Sequence, residues 1–184
     1  MKAALILVDV INDFFHPRGP NYHESYREIL PNILSVLESA REHGVPVIHA
    51  MEGHRAGLDD FEWRKLPVHD IKGSFEAEPA EGVSIAPGEF VVRKRRYSAF
   101  FATDLDLMLR ELRAELVVLV GVKTNVCVRA TAQDAFAYGY RVWVVGEAVA
   151  SNREHLHEAS LEDIRRYFGD VVSVEDCVRS FGGG

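Results

Sequence analysis

Residues 116–145, LVVLVGVKTNVCVRATAQDAFAYGYRVWVV, hold two apolar stretches joined by a polar, helix-forming segment. The first apolar stretch closes at Gly121, and the helix expected over residues 125–139 ends at Gly139. Continuous apolar runs of this length, bounded by glycine, are typical of strands that are buried on both faces of a parallel sheet. The segment therefore predicts a β-α-β unit.

The same alternation continues along the rest of the chain. Apolar runs predict strands, and segments with apolar residues at helical spacing lie between them. Alternating strands and helices imply a parallel sheet that right-handed crossovers cover on both faces. We therefore predict an α/β, three-layer α-β-α, Rossmann-like domain with a mostly parallel sheet of about six strands. The strands are expected at residues 3–10, 45–50, 89–94, 114–121, 141–149 and 170–176, and a long loop at 51–88.

Length and composition narrow the class of protein. With 184 residues and a net charge of -7, the chain predicts one domain over residues 1–180, a flexible tail over 181–184 and no nucleic-acid partner. It contains no 18-residue apolar run and no signal-peptide pattern, so we expect no membrane association and a cytoplasmic location. Its two cysteines, Cys127 and Cys177, are predicted to be free thiols, with Cys177 structural.

Three chemically useful side chains follow predicted strands. Asp9 ends the first strand, Lys94 ends the third, and Cys127 lies at the start of the helix after the fourth. In open parallel sheets, ligands bind beyond the carboxyl ends of the strands, so we expect these residues to meet there. A helix start and a nearby cation lower a thiol pKa, and a carboxylate can take the thiol proton and pass it to a leaving amine.

Each of these residues also has a structural interpretation. Cysteine is often a small buried apolar residue, a strand-end aspartate is often a turn residue, and Lys94 lies in a basic run, RKRRY, that is typical of a solvated surface. Taken singly, those interpretations are the more common ones. Their joint occurrence at strand ends favours a covalent amidase in which backbone N–H groups around residues 123–127 form the oxyanion hole.

Three stretches resemble the isochorismatase-like hydrolases, also called the cysteine hydrolase superfamily. They are LILVDVINDF at 5–14, residues 91–151 from VVRKRRYSAFFATDLDL to GEAVAS, and the helical turn around LEDI at 161–164. The resemblance implies that Asp9 is the general base, Lys94 the catalytic lysine and Cys127 the nucleophile. It also implies a cis peptide bond between Val122 and Lys123 that turns N–H groups toward the oxyanion.

Within that family, members that hydrolyse the vinyl ether of isochorismate resemble this chain around KRRYSAFFATDLDL but typically lack the nucleophilic cysteine. Because Cys127 is present, the resemblance implies hydrolysis of a C–N bond in a small amide, carbamoyl or ureido compound through a thioester-type intermediate. The alternatives are a metal-assisted nicotinamidase, a vinyl ether hydrolase and a non-catalytic binding protein of the same fold.

Nicotinamidases of the family carry a metal site with an Asp-x-His pattern after the second strand and a further histidine. This chain has Glu52 and His54 at the pattern and His69 downstream. The acid is Glu instead of Asp, and loop histidines are more often solvated than metal-bound. We therefore expect metal-independent chemistry without a cofactor, and these three residues are the candidate ligands for a divalent metal.

Several side chains are candidates for holding a small-molecule amide. Aromatic side chains commonly line such pockets, although ordinary packing explains each of them equally well. Arginines pair with substrate carboxylates. A dimer or tetramer is expected from the family resemblance. The substrate-binding candidates are Phe14, Trp63, Tyr97, Phe100 and Asn125, with Phe15, Asn12, Arg55 and Arg95 as further possibilities.

Overall fold

A single six-stranded sheet forms the centre of the computed structural model, which describes residues 1–183. The strands are β1 Ala3–Val8, β2 Val47–Glu52, β3 Phe90–Lys94, β4 Leu116–Val122, β5 Arg141–Ala150 and β6 Asp170–Val172. They lie in the order β3-β2-β1-β4-β5-β6, and every pairing is parallel. The predicted α/β fold with a parallel six-stranded sheet is confirmed.

Helices cover both faces of the sheet. They are α1 Asn12–Phe15, α2 Glu24–Glu28, α3 Leu30–Glu42, α4 Leu105–Glu111, α5 Arg129–Ala137, α6 Glu154–Asp163 and α7 Val174–Gly182. Residues of α3 and α7 pack in one apolar cluster, and residues of α4, α5 and α6 pack in a second cluster on the opposite face. Within residues 1–183, no helix combines the length and the apolar character needed to cross a membrane.

Strand β1 shows why the apolar runs are continuous. Leu5 and Leu7 belong to the cluster on the α3 side, whereas Ala4, Ile6 and Val8 belong to the cluster on the α5 side. Each of these side chains is at most 1% exposed. Because successive side chains of a strand point to opposite faces, a strand covered on both faces must be apolar at every position.

The carboxyl-terminal region differs from the prediction. Strand β6 stops at Val172, and α7 begins at Val174, where the Ser173 hydroxyl accepts a hydrogen bond from the Asp176 N–H. Cys177 and Phe181, four positions apart, are both buried against the core. The tail predicted for residues 181–184 therefore began too early, since α7 extends to Gly182; residue 184 lies outside the described residues.

Gly121 allows β1 and β4 to come together at the functional edge of the sheet. Its φ is +112°, and a Cβ placed there would lie 2.0 Å from the Val8 carbonyl oxygen. No side chain fits in that space, and this backbone conformation is open to glycine alone at little cost. The glycine thereby sets how closely the chain leaving β4 approaches the end of β1.

Glu89, which directly precedes β3, connects α3 to β2. Its carboxylate accepts hydrogen bonds from Arg41 Nε at 2.6 Å and the Ala86 N–H at 2.8 Å, and it lies 2.8 Å from His49 Nε2. Burial alone raises the pKa of Glu89, but hydrogen bonds from Arg41 and the Ala86 N–H lower it to about 2. The charged form is therefore the one that stabilises the fold.

Replacing Glu89 with Gln is expected to lower the free energy of unfolding by about 1.5–3 kcal/mol at pH 7, the usual contribution of hydrogen bonds to a charged group. A carboxyl whose folded pKa is depressed stabilises the protein above its ordinary pKa and loses that effect as pH falls toward the folded value. The difference between wild type and Glu89→Gln should therefore shrink between pH 4.5 and about 2.

Urea unfolding at several pH values measures this difference. The matched control is Glu78→Gln, because Glu78 is half-exposed and lies 3.8 Å from Arg93. Such surface pairs contribute about 0–1 kcal/mol. Equal stability losses in the two variants would contradict the role assigned to Glu89.

Candidate active site

The carboxyl ends of β1 and β4 meet at the point where the strand order reverses direction. Asp9 directly follows β1, and Cys127 lies a few residues after β4. Lys94 is the last residue of β3, so its side chain must cross the end of β2 to reach them. The predicted convergence of the three residues is therefore present, with a further strand between two of them.

Lys94 lies between the acid and the thiol. Its Nζ is 2.8 Å from Asp9 Oδ2 and donates to Cys127 Sγ at 3.6 Å. Asp9 and Lys94 are fully buried, and Cys127 is 4% exposed. An oxygen of Asp9 lies within 4.8 Å of the Cys127 sulfur. Acid, cation and thiol thus form one buried cluster in which a proton has a short path from sulfur to carboxylate.

Backbone groups and a second acid fix this cluster. The Glu52 N–H donates to Asp9 Oδ1 at 2.8 Å, and Lys94 Nζ donates to the Arg96 carbonyl at 3.3 Å. The Glu52 carboxylate lies 3.9 Å from the same Nζ. Asp9 itself has a φ of 49°, a left-handed conformation in which aspartate is tolerated better than most residues. Asp9 and Lys94 are thus each held by at least two neighbouring groups.

The charges of the cluster follow from burial and from these neighbours. Burial raises the pKa of the Asp9 carboxyl, with Lys94 acting in the opposite direction. Burial alone would lower the pKa of Lys94, but Asp9, Cys127 and Glu52 raise it well above its ordinary value. Lys94 therefore stays protonated, and Asp9 is a stronger base than a solvated aspartate.

The pKa of the Cys127 thiol differs from the prediction. Burial raises the pKa of Cys127 well above its ordinary value; Lys94 lowers it, whereas Asp9 and Glu52 add to the increase. We expected a lowered thiol pKa from the helix start and the lysine alone. The strand-end positions predict Asp9 near the sulfur, but they do not show how deeply the thiol is buried or that Glu52 also lies beside it. The resting thiol is therefore neutral instead of being a preformed thiolate.

The backbone around Cys127 departs from a regular α-helix. Residues Thr124–Val128 form a π-helical turn that continues into α5, and the peptide bond between Val122 and Lys123 is cis, as the family resemblance implies. The Lys123 carbonyl accepts hydrogen bonds from the N–H groups of Val126 at 3.0 Å and Val128 at 3.2 Å. This turn holds the sulfur toward Lys94.

Next to the cluster lie two histidines and two glutamates whose donor atoms are all within 4.8 Å of one another. Glu52 Oε1 is 2.9 Å from His54 Nε2 and 3.2 Å from His69 Nε2. The opposite ring nitrogens are also bonded, since His54 Nδ1 lies 3.0 Å from Asp60 Oδ2 and His69 Nδ1 lies 2.7 Å from the Pro67 carbonyl. Both Nε2 atoms therefore face the same point.

Glu62 is the fourth member of this group. Its carboxyl oxygens are buried and have no hydrogen-bond partner among residues 1–183, and Oε1 lies 4.0 Å from His69 Nε2. Burial and the nearby Glu52 raise the pKa of Glu62 to about 7. Burial would lower the pKa of His69, but hydrogen bonds to Glu52 and the Pro67 carbonyl raise it to about 9. The buried carboxylates of Glu52 and Glu62 therefore favour an additional positive charge between them and the histidines.

A cavity of about 130 Å³ opens beside the Cys127 sulfur. Two of the predicted substrate-binding aromatic residues, Phe14 and Tyr97, border it, and so do members of both clusters. The full lining is Phe14, Asn21, Glu52, Glu62, Leu66, His69, Tyr97, Lys123, Val126 and Cys127. The volume is suited to a small compound.

Other predicted contacts do not reach this cavity. Trp63 packs on the His54 ring at a centroid distance of 5.3 Å, and Phe100 is stacked on Tyr138 in the core. Asn125 accepts a hydrogen bond from the Ser151 hydroxyl. These three positions lend no support to a direct substrate contact, because aromatic type and proximity in sequence do not show which way a side chain points.

The remaining candidates have structural partners or lie elsewhere. Phe15 packs in the core. Asn12 donates to the Phe75 carbonyl and accepts from the Glu81 N–H, so it holds the long loop. Arg95 is paired with Asp60 at 2.9 Å, and Arg55 borders a separate, basic depression.

Sequence reasoning missed Glu62, Asp60 and the side chain of Lys123. Asp60 caps a single 3-10 turn, Phe61–Arg64, that contains Glu62, and only folding of the long loop over β2 brings both acids to the histidines. Lys123 has an extended backbone just before the helical turn, so its spacing from Cys127 carried no signal that its side chain would border the cavity.

Comparisons with known proteins match nearly the whole chain. Residues 3–176 match the family model for the isochorismatase domain. A maleamate amidohydrolase from Pseudomonas putida is 35% identical over 97% of this chain and 86% of its own length. An N-carbamoylsarcosine amidase from Arthrobacter sp is 31% identical over 97% of this chain and 70% of its own length.

Solved structures show the same fold. An isochorismatase-like hydrolase from Alkaliphilus metalliredigens superposes with a TM-score of 0.92 at 35% identity, covering 98% of this chain and 100% of that one. A pyrazinamidase of Pyrococcus horikoshii in complex with zinc gives a TM-score of 0.84 at 27% identity, covering 94% and 99% of the two chains. Since the family model and these relatives span nearly all of the sequence, the chain belongs to the isochorismatase-like hydrolase family.

Proposed function

We propose that this protein is a cysteine-dependent amidohydrolase that cleaves a C–N bond in a small amide, carbamoyl or ureido compound. The observation that carries the proposal is the position of Lys94 Nζ, 2.8 Å from Asp9 and 3.6 Å from Cys127, which itself borders a small cavity. Two relatives named as an amidohydrolase and an amidase support the reaction class.

In the first half of the reaction, Cys127 Sγ attacks the substrate carbonyl carbon and its proton passes to Asp9. Lys94 remains protonated and stabilises the developing negative charge on sulfur. The carbonyl oxygen becomes an oxyanion, for which we infer an oxyanion hole of backbone N–H groups at Lys123 and Cys127, oriented by the Val122–Lys123 bond. When the C–N bond breaks, Asp9 returns the proton to the leaving nitrogen, and an acyl or carbamoyl thioester remains.

In the second half, water attacks the thioester carbonyl while Asp9 accepts one of its protons. The C–S bond breaks, the sulfur recovers a proton from Asp9, and the acid product leaves. A neutral resting thiol is compatible with this cycle, because the proton moves only when a carbonyl is in place. Burial of Asp9 makes it a suitable base, since its raised pKa brings it nearer to the pH of the reaction.

The group of Glu52, His54, Glu62 and His69 fits a divalent metal. Two imidazole nitrogens and two carboxylates are ligands that zinc, iron and manganese accept, and a histidine whose other nitrogen binds a carboxylate or carbonyl is the usual arrangement at metal sites. The buried, unpartnered oxygens of Glu62 point to the same conclusion. A metal bound there supplies Lewis acidity near the cavity. This geometry favours a metal-assisted amidase as the second candidate function.

Replacing Cys127 with Ala or Ser is expected to abolish amide hydrolysis, because no other thiol lies within reach of Lys94. Ammonia release from a panel of small amides measures turnover, and urea unfolding checks that the variants remain folded. Cys177→Ala is the matched control, since Cys177 is buried away from the cavity and should affect stability instead of turnover. Full activity in either Cys127 variant would disprove covalent catalysis.

Asp9→Asn is expected to lower single-turnover thioester formation by about 10²–10⁴-fold, the usual contribution of a general base. In wild type, kcat/KM should fall as Asp9 becomes protonated, at a pH above its ordinary value of 3.8 because burial raises the pKa. The pH profile of the Asn variant should lose that acidic limb. If Asp9→Asn keeps the acidic limb of the pH profile, that limb reports the titration of a group other than Asp9.

Zinc added to metal-stripped protein is expected to bind at one equivalent per chain, measured by elemental analysis after gel filtration. His54→Ala should remove the binding, and Glu62→Gln should weaken it. His155→Ala, which alters an exposed histidine, is the control. Retention of the metal by His54→Ala, or no retention by wild type, would show that these residues do not form a metal site.

A further inference from the structure

Lys123 is a charged residue of the cavity wall to which the reaction assigns no side-chain role. Its Nζ lies 5.5 Å from the centre of the Phe14 ring, and both residues border the cavity beside the Cys127 sulfur. The residue is half-buried. Its backbone is fixed by the two hydrogen bonds that its carbonyl accepts, so the side chain starts from a defined point at the cavity edge.

The other ionisable side chains that border the cavity besides Cys127 are Glu52, Glu62, His69 and Tyr97. Glu52 is shared between Lys94 and the two histidines, and Lys94 is paired with Asp9 and does not border the cavity. Glu62 faces His69. In contrast, no carboxylate within residues 1–183 lies within 4.0 Å of Lys123 Nζ. Lys123 therefore offers a free ammonium group to whatever enters the cavity.

A half-buried ammonium beside an aromatic face attracts an anion more strongly than a solvated one does, because less water competes for its protons. Lys123 borders the same cavity as Cys127, so a molecule bound by its ammonium group is close to the sulfur. A small molecule with an anionic group at one end and an amide at the other can contact Lys123 and Cys127 together.

We propose that Lys123 binds an anionic group of the substrate, and that the substrates are small amides carrying a carboxylate besides the scissile C–N bond. This inference rests on the proposed amidohydrolase function and narrows it. Lys123 acts here as a specificity residue through its side chain, separately from the role inferred for its backbone N–H.

The test compares maleamate with maleamide, its neutral diamide, through kcat/KM. Wild type is expected to prefer maleamate, and Lys123→Met should lower the ratio of the two kcat/KM values by about 10–100-fold, mainly through KM. Lys123→Arg should retain most of the preference, because it keeps the charge. Lys72→Met is the control: Lys72 is exposed and borders the separate basic depression, so its loss should leave the ratio unchanged.

Binding of maleamate to the Cys127→Ser variant, measured by calorimetry, separates the two proposals. Binding that Lys123→Met abolishes, without turnover by wild type, upholds the role of Lys123 and overturns the amidohydrolase. If wild type turns over maleamate and Lys123→Met leaves the ratio of the two kcat/KM values unchanged, the amidohydrolase is upheld and the role of Lys123 is overturned. Failure of maleamate, succinamate and malonamate all to bind also overturns the preference for anionic amides.

Discussion

The buried ammonium group of Lys94 is the interaction on which the rest of the site depends. A charge with no exposed surface is tolerated only when opposite charges surround it, and here Asp9 lies at 2.8 Å and Glu52 at 3.9 Å. Burial raises the pKa of both carboxyl groups and the lysine opposes that increase, so the pKa of Glu52 ends well below its ordinary value whereas that of Asp9 stays raised. The same ammonium group lies next to the sulfur, so the arrangement that makes the burial of charge acceptable also stabilises a thiolate when one forms.

Glu52 couples this cluster to its neighbour. One oxygen faces Lys94, and the other faces the Nε2 atoms of His54 and His69. Its backbone N–H orients Asp9 as well. A change of charge at the histidines therefore alters the field at the nucleophile through a single side chain. For that reason the histidine group and the catalytic cluster are best treated as one electrostatic unit.

The sequence predicted those parts of the molecule that depend on local patterns. Apolar runs identified the buried strands, and strand-end positions identified Asp9, Lys94 and Cys127 before any comparison. It did not predict α7, because Val172 and Val174 alternate with Ser173 and Glu175, a pattern that is also typical of a strand. Nor did it predict the contribution of Glu62, which depends on how the long loop folds over β2. The raised pKa of Cys127 was also not predicted, because it arises first from burial and then from Asp9 and Glu52, which are distant in sequence.

The strand order β3-β2-β1-β4 has a consequence for folding. Cys127 lies 33 positions after Lys94, and Glu52 lies 43 positions after Asp9, yet all four meet at one edge of the sheet. Contacts this distant in sequence form slowly, because the intervening chain must be ordered first. The nucleophile therefore has no lysine beside it until four parallel strands have paired, and partly folded chains expose an ordinary thiol. Recovery of activity during refolding reports completion of this half of the sheet.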